Sequence, residues 1–251
     1  PSTTTFVASS VEGSRLSAQT PTILKLPDLG AKTLASWKLD GQEQTIGKTG
    51  CKTMINGEVE IVNHSIGNAL GSLSVTGGLR VKGHSELNTE VSNVDGDVHL
   101  EESAVMKAAK IEVKEHLSLT VKSTAEFKNA LINGNLTMDG ESQVKVVAAT
   151  IERSLIMSGN TKLQASGDDP IYIGEIIMSG GSEAWLGGSG SLKIDGRIVV
   201  SGKSKLNISR LSSEQASKLC VIADGGSIIT VKKGVQFSKP VLAGGSKIVE
   251  E

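Results

Sequence analysis

Few side chains in this sequence are placed for chemistry, and most of those recur in matching surroundings. His64 and His84 sit in Asn63-His-Ser65 and Gly83-His-Ser85. Two imidazoles in equivalent positions could bind a metal or sense pH. The next equivalent position is Ser103, which offers no third ligand, so solvated surface histidines are expected. Lys82, Glu101, Lys122 and Asp139 form a second series, of alternating sign. Read as chemistry, it belongs to an acid/base or sugar-binding groove, with Asp95 and Asp97 nearby. Read as structure, it is a surface charge ladder between neighbouring strands. Nothing pairs the carboxylates and sugar-stacking aromatics are scarce, so the ladder is the expectation. Met138, Met157 and Met178 suggest soft-metal ligation only until their spacing is read as an apolar column. Gly47-Lys-Thr and Gly202-Lys-Ser echo a phosphate loop. Their preceding glycines, Gly41 and Gly196, lie one residue too far away, and no helix follows. The sequence therefore assigns no catalytic residue, cofactor, metal or small-molecule ligand, and leans away from an enzyme.

What positions these residues is a repeat. Val75-Thr-Gly77-Gly-Leu79-Arg-Val81-Lys-Gly83-His-Ser85-Glu-Leu87 returns as Ile132-Asn-Gly134 through Val144, and again as Ile194-Asp-Gly196 through Leu206. The pattern is apolar-x-Gly-x-apolar-x-apolar-x-Gly-x-Ser/Thr-x-apolar. Its period-two alternation predicts strands with one buried face. The first strand residue falls at Val59, Leu79, Val98, Leu119, Leu136, Leu155, Ile176 and Ile198, at intervals of 17 to 22 residues. A second inward column follows as Ile61, Val81, Leu100, Val121, Met138, Met157, Met178 and Val200. A third includes Leu87, Met106, Phe127 and Val144, and an earlier strand supplies Ile55, Val75, Val94, Ile132, Ile151, Tyr172 and Ile194. Glycines mark two corners. In one series Leu117 and Arg153 stand in for glycine; in the other Asn63, Glu102 and Ser123 do. Small residues follow at Ser65, Ser85, Ala104, Ala125, Ser142, Thr161, Ser182 and Ser204.

The fold this predicts is all-β: a single-stranded parallel β-helix, or β-solenoid, of about 8–10 rungs of roughly 20 residues with N- and C-terminal caps. Composition agrees. Of 251 residues 29 are glycine, while Phe, Trp and Tyr together number six, as suits a narrow core of Val, Ile, Leu and Met. A β-sandwich would not hold one motif in phase over so many units. The division expected is an N-terminal arm or cap over 1–50, the helix proper over 51–208, and a C-terminal cap over 209–251. That cap would combine a short helix near Leu211–Leu219 with an irregular last rung.

A net charge of −1 gives no reason to expect nucleic acid or an anionic membrane. Cys51 and Cys220 are too far apart in sequence to suggest a zinc site or a disulfide framework. No apolar run reaches the length of a membrane helix, and the start lacks a signal-peptide pattern, so a cytoplasmic location is expected. The outward column beside the first strand residue reads Glu60, Arg80, His99, Thr120, Thr137, Ile156, Ile177, Val199. It begins polar and ends apolar, and Ile156, Ile177 and Val199 make a candidate interface.

In rung length, corner glycines, aliphatic columns and scarcity of aromatics, residues 53–208 resemble the bactofilins, bacterial cytoskeletal proteins that form polymers. The resemblance implies a nucleotide-free scaffold without catalysis, whose partner is itself or another protein. Partly ordered flanks depart from that family. The alternative is a carbohydrate-active or carbohydrate-binding β-helix, such as a polysaccharide lyase, a hydrolase, or a phage or surface adhesin.

Overall fold

A short strand that alternates apolar and polar residues can bury its apolar side only against other strands, and a repeat of such strands does so by coiling. The computed structural model describes Leu24–Lys25 and residues 32–251. The chain there is nearly all strand, with one helix, Ser213–Ala216. Each strand pairs in parallel with its counterpart one turn on, as in Leu79↔Val98↔Leu117↔Leu136. The protein is a parallel β-solenoid of about eleven turns of about 19 residues.

One turn shows how the coil closes. Val98–Glu101 forms the first face, with Val98 and Leu100 buried and His99 outward. Glu102 and Ser103 then both adopt left-handed backbone, at φ 54° and 63°, and turn the chain sharply. Ala104 is buried behind that corner. The strand Val105–Val113 follows, and its pairing lapses at Ala109. There it bends, so that its first half builds a second face and its second half a third. Lys114 to His116 lead back to Leu117 on the first face.

The stacked columns correct the sequence-based phase at five positions. The first column runs Trp37, Val59, Leu79, Val98, Leu117, Leu136, Leu155, Ile176, Ile198 and Val221. Leu117, not Leu119, opens its turn, and Leu119 takes the second-column place expected of Val121. Val121 lies at the corner instead, 53% exposed, with φ +49°. Ser123 therefore occupies the small buried position expected of Ala125, while Ala125 stacks between Met106 and Val144 in place of Phe127. With this phase the turns from Leu79 to Leu155 are uniformly 19 residues long. Further on, Ile173 fills the third-face column and Tyr172 points outward, its hydroxyl donating to Asp195 Oδ2 at 2.8 Å.

The ends differ more from expectation. Trp37–Asp40 already pairs with Val59–Val62, and Lys32–Leu34 with Thr53–Ile55, so the coil is established well before residue 51. Past residue 208 it continues for two turns: Val221–Ala223 stacks on Ile198–Val200, and Val241–Leu242 on Ile222 and Ala223. Only the third face is irregular there. The short helix stands where its next strand would lie. Ser212 caps its start, and Gln215 Nε2 donates to the Ile194 carbonyl of the last third-face strand at 3.3 Å. The 209–251 segment is thus a cap to one face and ordinary coil on the other two.

Among the described residues the interior is closely filled. Its side chains are mainly aliphatic, with Trp37, Phe127 and Phe237 among them, and the gap among Phe127, Val146 and Ile171 measures about 10 Å³, roughly the smallest space that admits one water. The methionine column lies within this wall, buried like its neighbours.

Candidate functional site

With the interior closed, recognition falls to the outer faces. The outward residue of the first face runs Lys38, Glu60, Arg80, His99, Ser118, Thr137, Ile156, Ile177, Val199, Ile222 and Val241. The structure brings Ile156, Ile177 and Val199 into one column and lengthens it by Ile222 and Val241, the last 58% exposed. Ser118 replaces Thr120 in the series because of the phase change. Five stacked branched side chains at the strand spacing of about 4.8 Å make an apolar strip roughly 19 Å long. Ser158, Ser179 and Ser201 follow the strip on its corner side, each bonding backbone of the preceding turn. Ile222 was legible in Val221-Ile-Ala223-Asp-Gly225-Gly-Ser227-Ile-Ile229, which repeats the motif without its leading glycine, and Val241 in the shorter echo Val241-Leu-Ala-Gly244-Gly-Ser246-Lys-Ile248.

The charge ladder survives only in part. Lys82 and Glu101 are true neighbours across strands, with Nζ 3.9 Å from the carboxylate, and Lys82 lies 3.2 Å from Glu102. Arg80 also reaches Glu101, at 3.5 Å. Asp139 keeps this column, but Thr120 stands between it and Glu101 where Lys122 was expected. Lys122 sits on the corner and pairs with Glu141 at 3.7 Å, while Asp139 accepts from the Ser158 hydroxyl at 2.9 Å. Asp95 pairs with Lys114 at 2.8 Å, and Asp97 accepts the His116 backbone N–H at 2.9 Å. Each of these carboxylates is tied to a cation, a hydroxyl or an amide.

His64 and His84 stack as their spacing predicted, ring centroids 5.3 Å apart and nearly parallel. Among the described residues no group of three or more His, Cys, Asp or Glu side chains is gathered to hold a metal. Nor is any helix there long and apolar enough to cross a membrane. Gly47-Lys-Thr lies inside the strand Glu43–Ile55, where the register slips between Gly47 and Lys52. Gly202-Lys-Ser is a left-handed corner. Neither frames a phosphate site.

The second face carries the features that the sequence did not disclose. Its two outward columns alternate in sign: Lys107 meets Glu86 at 2.9 Å, Lys145 meets Glu126 at 3.3 Å, and Lys205 meets Glu183 at 2.8 Å. A groove of about 790 Å³ follows the bend past Asn68, Asn88, Lys107 and Gln164. A second, of about 580 Å³, continues past Lys162, Trp185 and Asn207. The hydrogen bond from Lys205, with the charge of Lys162 behind it, holds the Glu183 carboxyl below its ordinary range against a smaller opposing effect of burial.

Because the folded state lowers this group's pKa, its contribution is complete above the ordinary glutamate range and is lost as the pH falls through the folded value. The Glu183 side chain is 44% exposed, so solvent screens the pair and the effect is small. Glu183→Gln is therefore expected to melt slightly below the parent at neutral pH and together with it in acid. A gap that persisted in acid would mean that packing, not charge, is the cause.

No family model matches this chain, and no curated protein or solved structure matches it.

Proposed function

We propose that the chain is a non-enzymatic structural protein that associates side by side with a second copy of itself through the apolar strip of its first face. The observation that carries this reading is the unbroken column Ile156, Ile177, Val199, Ile222 and Val241. Its spacing selects the occupant. A row of branched side chains repeating at the strand separation interlocks best with a row of the same pitch, and a second copy supplies one. Two strips related by a two-fold axis would bury the same residues from both chains. A net charge of −1 leaves little repulsion to prevent this. The pattern resemblance to bactofilins points the same way, toward a scaffold without catalysis.

Ile177→Lys tests the reading. The residue faces outward, so the coil should keep its fold, while a charge set into an apolar seam should weaken association on the order of a hundredfold. Sedimentation of parent and variant over a concentration series measures this. A parent that stays monomeric at the highest concentration, or a folded variant of unchanged oligomer size, defeats the proposal.

A further inference from the structure

The chain has two tryptophans, and the coil treats them oppositely. Trp37 is buried at the first turn, its indole N–H donating to Gln44 Oε1 at 2.6 Å. Trp185 stands outward on the second face with 42% of its surface exposed. Tryptophan is enriched at contact sites because it joins a large apolar face to a polar N–H. The position is also prepared for the ring. The indole lies against the backbone of Gly187, where an added Cβ would come within 2.3 Å of it. A side chain at 187 would displace the indole.

The surroundings are polar. Gln164 precedes Trp185 in its column and Asn207 follows it, one turn to either side. The adjacent column carries Lys162, Glu183 and Lys205. Lys205 is engaged with Glu183 at 2.8 Å, whereas Lys162 makes no ion pair among the described residues. Of the groove's three lysines, Lys145 is engaged with Glu126 and Lys205 with Glu183, so Lys162 is the cation left to meet a ligand. Further along, the same outward column presents Asn68 and Asn88, joined amide to amide at 3.0 Å.

From this arrangement we infer that the second face binds an acidic polysaccharide lying along the coil, with one pyranose ring stacked on Trp185 and a uronate carboxylate on Lys162. An indole face attracts the C–H groups of a sugar ring by its negative quadrupole. Gln164 and Asn207 offer amides, each a donor and an acceptor, to hydroxyls on the neighbouring units. A linear polymer suits a groove whose polar chemistry recurs at every turn. Single-stranded nucleic acid would also stack, but its phosphates need a run of free cations, and here most lysines of the face are already neutralised by glutamates. A peptide would need further apolar sockets beside the single aromatic. This surface is separate from the apolar strip, and the inference does not rest on the proposed self-association.

The test follows the fluorescence of the full chain during titration with three uronate oligomers, from polygalacturonate, alginate and hyaluronan, a neutral cello-oligosaccharide, and oligo(dT). At least one uronate should shift the emission. The shift and binding by calorimetry should vanish in Trp185→Ala and persist in Trp37→Phe. Lys162→Gln should weaken that uronate about tenfold and leave the neutral sugar unchanged. Loss of signal with retained circular dichroism excludes misfolding. Failure of all three uronates at millimolar concentration overturns the inference. So does undiminished binding by folded Trp185→Ala, equal affinity for the neutral sugar, or preference for oligo(dT).

Discussion

Leu117→Ala is expected to cost the coil about 3 kcal/mol, while Val121→Gly, four residues on, is expected to stabilise it by about 1 kcal/mol. Leu117 is wholly buried and stacked between Val98 and Leu136, so truncation removes a transfer term and leaves a hole that neighbouring turns are too closely packed to fill. Val121 loses little by truncation. It is half in solvent, and as a β-branched residue at φ +49° it bears a strain that Gly140 and Gly159 avoid at the same corner of later turns. Relief of that strain exceeds the extra flexibility glycine gives the unfolded chain. Urea denaturation at constant slope measures both. Equal losses at the two sites would mean that both side chains face inward and that this turn is phased differently.

Gly174→Ala is expected to destabilise by about 3 kcal/mol, at the high end for overpacking. Its cause is space, not conformation. Gly174 does not require left-handed backbone, but a Cβ there would lie 2.1 Å from the Arg153 carbonyl oxygen and 2.6 Å from that of Glu152. The preceding turn sets two residues against this one, as the register break between Ile151 and Ser154 records, and their carbonyls crowd over Gly174. Backbone cannot swing aside as a side chain does. Gly140→Ala gives the contrast: with φ +62° and the nearest backbone atom, Val121 N, at 3.0 Å from the added Cβ, its cost is mainly conformational, about 1 to 2 kcal/mol. If Gly174→Ala costs no more than Gly140→Ala in the same urea series, the corner yields and close approach is not what demands glycine.

The two glycine columns thus answer different needs. At Gly140 and its equivalents the chain reverses through paired left-handed residues. The serine that follows turns its hydroxyl back to the corner, as Ser182 does to the Ser179 carbonyl at 2.6 Å. At Gly174 and its equivalents successive turns touch. Lengths vary around the third face. The turns beginning at Leu155 and Ile176 hold extra residues at the bend before it or the corner after it, the turn beginning at Ile198 holds the helix, and the first face meanwhile keeps its register. That constancy is what carries an uninterrupted strip and an uninterrupted polar groove along the coil.

The sequence by itself determined the solenoid, since a motif of constant length with alternating burial has no other economical packing. It also determined which apolar residues could be inward together, because strand parity is written in the alternation. Parity does not set phase. Leu117, Leu119, Val121 and Ala125 alternate equally well two residues along, so Val121 reads as core until the corner claims it. Turns whose leading glycine is lost, such as those at Trp37 and Val221, read as caps for the same reason, though their strands pair as the others do. Only the tertiary structure decided the outside. Which turn lies above which, and whether a side chain one turn away is four ångströms or twenty from its partner, depends on summed corner lengths. Hence Lys122 left the ladder that sequence spacing assigned it and Thr120 took its place beside Asp139, while Trp185 came to stand between Gln164 and Asn207.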